Sequence, residues 1–163
     1  MTEIAYKPTI GTLCYIKDER GRILLQLKAK GKFGELRWNA PGGKLLPEED
    51  LEIAAKREVR EETGLEVNNI EKNALLNFYI SGYPGKLAWQ VYVFRALDWK
   101  GKLRTSTEGK LEWFSTDSIP YNQMWEDDKH WLPLLLKDKK FTGHFWFEGE
   151  FEHLVRYKIE ETI

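Results

Sequence analysis

The chain is poor in the features that mark many specialised protein classes. Cys14 is the only cysteine among 163 residues, so no disulfide can close within one chain. With no secretion signal at its start, a reducing, cytoplasmic setting is expected. No apolar run approaches the roughly 20 residues of a membrane-spanning helix, so no membrane partner is expected. Positive and negative side chains nearly cancel, 25 against 26, for a net charge of −1. That balance, with no basic tail, argues against polymeric nucleic acid as a ligand. There is no Pro/Gly/Ser-rich linker and no internal repeat. Residues 1–163 therefore read as a single domain, long enough to bury a sizeable core. What the chain does hold in quantity is aromatic surface: 13% Phe, Trp and Tyr, including seven tryptophans. Such side chains suit a core, or a pocket that grips flat ligands.

Residues 9–16 (TIGTLCYI) and 23–27 (ILLQL) have strand character, and Gly21 in the intervening KDERGR suits a hairpin turn. Residues 28–37 (KAKGKFGELR) form a basic, glycine-containing loop. A helix is expected over 47–63, acidic in its first turn and followed by Gly64 as a C-terminal cap. Further strands are expected at 70–80, 88–97 and 112–114. A second helix is expected over 131–137, with Pro133 near its start, then a late pair of strands at 141–147 and 153–159. This order predicts a layered α/β or α+β domain. Cys14 falls in a strand and reads as a small apolar core residue. The three histidines have no metal-ligand spacing.

The stretch from Gly42 to Val67 carries seven glutamates and one aspartate. At 100° per residue, Leu51, Ala55 and Val59 share one side of the helix, facing a sheet. Glu58, Glu61 and Glu62 lie within about 100° of arc on the adjacent side. Like charges at these spacings cost a few tenths of a kcal/mol per pair. A divalent cation would reverse that sign, since Mg²⁺ takes hard carboxylate oxygens, waters and substrate phosphates. Gly42-Gly43 lets the backbone approach and offer a carbonyl. The alternative is a solvated, salt-bridged helix in which Lys56, Arg57 and Arg60 neutralise the acids.

From Gly43 the pattern is G-x5-E-x7-R-E-V-x-E-E-x-G-L, ending at Leu65. This resembles the signature of the Nudix hydrolases at every fixed position, nine of them in 23 residues. The resemblance implies an α/β/α sandwich around a mixed sheet. It also implies hydrolysis of a nucleoside diphosphate linked to another group, with Mg²⁺ or Mn²⁺. Carried over, Glu58 and Glu62 would bind the ion with the Gly42 carbonyl. Glu61 would bind it directly or hold one of its waters, Arg57 would orient Glu58, and Glu49 would support the loop–helix junction. A fourth carboxylate, Glu108, stands where the family supplies one from a later loop; Glu112 is its competitor.

Two further stretches, RWNAPGGK and MWEDDKHWLPLLL, resemble the MutT-like branch that removes oxidised purine nucleoside triphosphates such as 8-oxo-dGTP and 2-hydroxy-dATP from the nucleotide pool. By this resemblance Asn39 would hydrogen-bond the base, Asp127 and Asp128 would read the purine edge, and Trp125 would stack on its face. Lys28 and Phe33 would line the mouth, and Phe78 and Trp89 the base pocket. Two adjacent buried acids repel, so one easily keeps its proton. Such a pair offers both donor and acceptor and could read either oxidised purine. Residue type alone leaves other roles open. Asp127 or Asp128 could be a helix N-cap, Trp125 and Trp131 core residues, and Asn39 a turn residue. The SGYPGK loop, Ser81 to Lys86, and the bulk of Trp89 depart from the branch. The chain is expected to act as a monomer or homodimer on a small nucleoside triphosphate. The competing readings are a Nudix hydrolase of general nucleoside triphosphates, ADP-ribose or nucleotide sugars, and a silent nucleotide- or RNA-binding module. The intact set Glu58, Glu61 and Glu62 argues against the silent module.

Overall fold

The computed structural model describes residues 7–104 and 107–162. Two sheets and two helices make up the domain. The strands are β1 (Thr9–Tyr15), β2 (Ile23–Lys28), β3 (Trp38–Asn39), β4 (Gly42–Lys44), β5 (Ile70–Ile80), β6 (Lys86–Ala96), β7 (Gly109–Phe114), β8 (Phe141–Glu148) and β9 (His153–Glu161). The helices are α1 (Leu51–Thr63) and α2 (Asp128–Leu136). A six-stranded sheet runs β4-β1-β6-β5-β8-β9, and a three-stranded one runs β3-β2-β7. The large sheet is mixed: β1 pairs parallel with β6 and β5 parallel with β8, while its other pairs are antiparallel.

Alternation along the strands divides the interior in two, as a pleated sheet covered on both faces requires. Tyr15 and Val93 point to one side, where Trp131, Leu132 and Leu135 of α2 join them in a core. Their neighbours Cys14 and Phe94 point to the other, against Ala55 and Val59 of α1. One helix on each face gives the expected α/β/α sandwich. Burial pushes the Cys14 thiol up to about 12, in keeping with an apolar core role. Burying a side chain such as Val59 contributes about 1.5–3 kcal/mol. That outweighs the acidic repulsion along α1, a few tenths per pair.

The hairpin expectation for β1 and β2 holds only at its turn. Asp18 and Arg22 close that turn through their backbones, and Leu24 N–H donates to the Ile16 carbonyl. The two strands then diverge, β1 into the large sheet and β2 to β3 and β7. The first helix starts at Leu51 rather than at 47. Pro47 and Glu48 form a turn closed by Glu49 N–H on the Leu46 carbonyl, with Glu48 at φ 61°. Asp50 then caps the helix by accepting from the Glu52 N–H. Gly64 at φ 82° ends it, as expected. The second helix begins three residues before the expected start, so Pro133 lies inside it.

Candidate active site

The Gly42-Gly43 pair is where the sheet edge meets α1. In β4, Gly42 pairs with Leu13 and Gly43 with Thr12. A Cβ on Gly42 would fall 1.9 Å from the Thr12 carbonyl oxygen, and one on Gly43 would fall 2.7 Å from Oε1 of Glu58. The two glycines therefore serve different ends. Gly42 lets the β1–β4 edge close, while Gly43 makes room for a carboxylate. Gly43→Ala should accordingly push Glu58 aside, lowering activity at least tenfold with little loss of melting temperature. Gly42→Ala should destabilise the fold itself by roughly 1–3 kcal/mol. Parallel melting curves and steady-state assays of the two variants check this split.

Glu62 is almost fully buried. One of its oxygens accepts from Gly42 N–H at 3.0 Å and the other from Lys28 Nζ at 3.4 Å. Burial, with the Glu58 charge adding to it, pushes its carboxyl up to about 7 despite Lys28. Burial likewise raises Glu58, against the pull of Arg57. Arg57 is the organiser of the helix face. Its Nε and Nη2 clasp Glu49 at 2.7 and 2.9 Å, while Nη1 reaches Glu58 at 2.9 Å and Glu61 at 3.1 Å. The fork geometry of guanidinium makes one side chain sufficient for all three. Glu61 is the most exposed of the set. Glu108, in the turn just before β7, pairs with Lys32 at 3.4 Å, and its carbonyl accepts from Ala29 N–H. Glu112 lies within β7, opposite Leu25.

All of these carboxylates except Glu49 and Glu112 line one cleft of about 640 Å³. Among the described residues, no three acid, imidazole or thiol groups already close around one point. Arg57 and Lys28 instead hold Glu58 and Glu62. The donor set still fits a hard divalent cation. It consists of oxygen ligands in a cleft wall, with two carboxyls whose ionised forms are disfavoured first by burial and then by a neighbouring carboxylate, Glu61 acting on Glu58 and Glu58 on Glu62.

The same cleft receives the aromatic and amide residues. Lys28, Phe33, Asn39, Phe78, Trp89 and Trp125 line it, as do Asp127 and Asp128. Of the residues given a site role from the sequence, Arg57 and Glu49 stand outside the cleft lining, joined to each other and to Glu58 by the Arg57 fork. Asn39 Oδ1 accepts from Ala40 N–H at 2.9 Å, a local turn contact that leaves its NH₂ group to donate. Phe33, though 66% exposed, lies between Trp89 (5.8 Å, 9°) and Trp125 (5.6 Å, 29°). Three rings are thus stacked across the cleft. Of the two departures noted in the sequence, Trp89 lines the cleft as expected and the 81–86 loop does not. Residues 81–86 do not line the cleft; Pro84 instead accepts from Trp146 Nε1. Trp89 lies against Gly11, where a Cβ would meet its ring at 3.3 Å.

Asp127 and Asp128 are both buried. The N-cap role is not what Asp127 does: its side chain makes no capping bond to α2. It accepts instead from Trp131 Nε1 at 2.7 Å, which also settles Trp131 as a core residue at the back of the cleft. Burial raises both carboxyls. The Asp127 charge raises Asp128 further. Two buried acids side by side retain a proton between them more readily than either would alone. Asp128 Oδ2 has no hydrogen-bond partner among the described residues, so it is available to a ligand in the cleft. Sequence reasoning gave no role to Arg37, whose guanidinium lies over Trp125, nor to Phe151, whose ring edge meets Phe33 and Trp125. Neither has a signal in spacing, because both contacts join distant parts of the chain.

The described residues contain no helix long and apolar enough to cross a membrane. The family model for the NUDIX domain matches residues 7–135. A Danio rerio protein named oxidized purine nucleoside triphosphate hydrolase is 40% identical over 142 residues, covering 87% of this chain and 88% of its own length. The Mus musculus protein of the same name is 40% identical over 141 residues, covering 86% and 88%. The crystal structure of a MutT protein from Bacillus halodurans superposes with a TM-score of 0.80 at 31% identity, covering 93% of this chain and 97% of that one.

Proposed function

Because this chain belongs to the Nudix hydrolase family, we propose that it converts oxidised purine nucleoside triphosphates and water to the monophosphate and pyrophosphate. The observation that carries the base specificity is the buried pair Asp127–Asp128, with Trp125, in the same cleft that holds the helix carboxylates. A protonated acid beside an ionised one presents a donor and an acceptor together, which suits the edge of 8-oxoguanine or 2-hydroxyadenine. The aromatic walls favour a flat ligand, and base stacking contributes about 1–3 kcal/mol per ring.

Members of the family use a divalent metal. In this chain Glu58 and Glu62 would hold it, with the Gly42 carbonyl and with Glu61 and Glu108 beside them, and Mg²⁺ is the ion the oxygen set suits. Such an ion neutralises phosphate charge and lowers the pKa of water. Arg57 keeps Glu58 oriented by the clasp on Glu49, and Lys28 steadies Glu62 while offering a positive charge to the phosphates.

The test is turnover of a nucleotide panel with Mg²⁺, scoring pyrophosphate against phosphate. The expected result is kcat/KM for 8-oxo-dGTP or 2-hydroxy-dATP at least about 100-fold above dGTP and dATP, because a mismatched buried polar group costs about 1–3 kcal/mol and two are involved. Faster turnover of ADP-ribose or of unoxidised nucleotides would overturn the reading.

A further inference from the structure

Trp125 belongs to a stretch that has only one short 3-10 turn, Tyr121–Gln123, before α2 begins. No sheet fixes its ring. The ring also stands between two spaces: with Arg37 it lines both the 640 Å³ cleft and a second hollow of about 450 Å³. The Arg37 Cζ lies 4.1 Å from the indole centroid, well inside cation–π range. Its backbone is tied at both ends, Arg37 N–H to the Gly34 carbonyl and the Arg37 carbonyl to Lys28 N–H, both at 3.1 Å.

The second hollow contains three acids, Glu35, Glu126 and Glu152. Arg37 forms an ion pair with none of them. Glu126 is taken by His153 and by Leu154 N–H, and Glu35 by Gly31 N–H. A guanidinium surrounded by carboxylates yet laid on an indole spends its planar face on that ring. Arg37 covers one face of that indole and Phe33 stacks on the ring at 5.6 Å, so a base that stacks on Trp125 has to take the place Phe33 holds.

We propose that Arg37 is a positioning residue that holds the Trp125 indole upright as a wall of the base slot, so that it governs the binding of the base without touching the reacting phosphates. This rests on the base-pocket reading above. The requirement is for a flat cation, which distinguishes Arg from Lys. A lysine would keep the charge but present only a point to the ring.

The experiment is a double-mutant cycle on the full chain, with 8-oxo-dGTP and 2-hydroxy-dATP as probes. Arg37→Leu should raise KM roughly three- to tenfold with kcat unchanged, and Arg37→Lys should rescue only part of that. In a Trp125→Ala background, Arg37→Leu should have no further effect, a result that general destabilisation would not produce. An equal KM rise in both backgrounds, or a fall in kcat at constant KM, overturns the proposal. If Trp125→Ala raises KM while Arg37→Leu does nothing, the proposal alone fails. If Trp125→Ala itself leaves KM unchanged, the base-pocket reading fails with it.

Discussion

Glu58→Gln is expected to lower kcat about a thousandfold while the protein stays folded. The substitution keeps size, shape and an acceptor for Arg57 Nη1, which now holds Glu58 at 2.9 Å. It removes the negative charge that a divalent ion needs. Charge stabilisation by such an ion amounts to several kcal/mol, and each decade of rate is about 1.4 kcal/mol. Stability should change little, for a reason visible in the fold. Burial raises the Glu58 carboxyl above its ordinary value even with Arg57 alongside. Ionising Glu58 therefore costs more in the folded chain than in the unfolded one, and a neutral amide relieves that cost while weakening the Arg57 bond. The two effects oppose one another. Glu61→Gln supplies the contrast: its side chain is 59% exposed and meets Arg57 alone, so a loss of about tenfold or less is expected. Pyrophosphate release at saturating Mg²⁺, a metal titration and a melting curve for each variant are the measurements. Activity of Glu58→Gln within a few-fold of the parent would remove Glu58 from the catalytic machinery.

The part of the site on α1 was legible because it is local. Arg57, Glu58, Glu61 and Glu62 are separated by helical spacings, and a helix converts spacing directly into geometry. Even the Arg57 clasp on Glu49 spans only eight residues. The sheet was legible only in part. Strand character is a property of a segment, but partners are not. Nothing in TIGTLCYI tells it to pair parallel with β6 rather than stay with β2. Strands of two and three residues, β3 and β4, carry no period at all, yet they place Asn39 and Gly42 at the cleft. The helix start was misplaced because acidic residues at 48–50 suit a first turn equally well as a cap and the turn before it. Asp50, with its side chain on Glu52 N–H, decides the matter. The base pocket was reached through the resemblance of whole stretches. Its internal contacts, Arg37 on Trp125 and Phe33 between two tryptophans, join residues far apart in sequence and leave no periodic trace.

Asp128→Asn is expected to lower kcat/KM for the oxidised purine triphosphates about tenfold to a hundredfold, the range set by the roughly 1.5–3 kcal/mol of a hydrogen bond involving a charged group. Its effect on folding should run the other way as pH rises. The Asp128 carboxyl is raised well above its ordinary value by burial and then by the Asp127 charge. In the unfolded chain an aspartate ionises near 3.9. Below that pH both states carry the proton and the group contributes no difference. Above it the unfolded state loses the proton while the folded state keeps it, so stability declines as pH climbs, until the folded group itself ionises. Asparagine has no proton to lose, and its NH₂ can still donate to Asp127, so this contribution to the decline disappears. Urea unfolding at pH 5 and pH 8 reads the difference directly. The parent should lose more stability between the two pH values than Asp128→Asn, with Asp127 and its Trp131 contact common to both. Parallel losses would mean that Asp128 is already ionised in the folded protein, and the purine edge would then have to be read by acceptors alone.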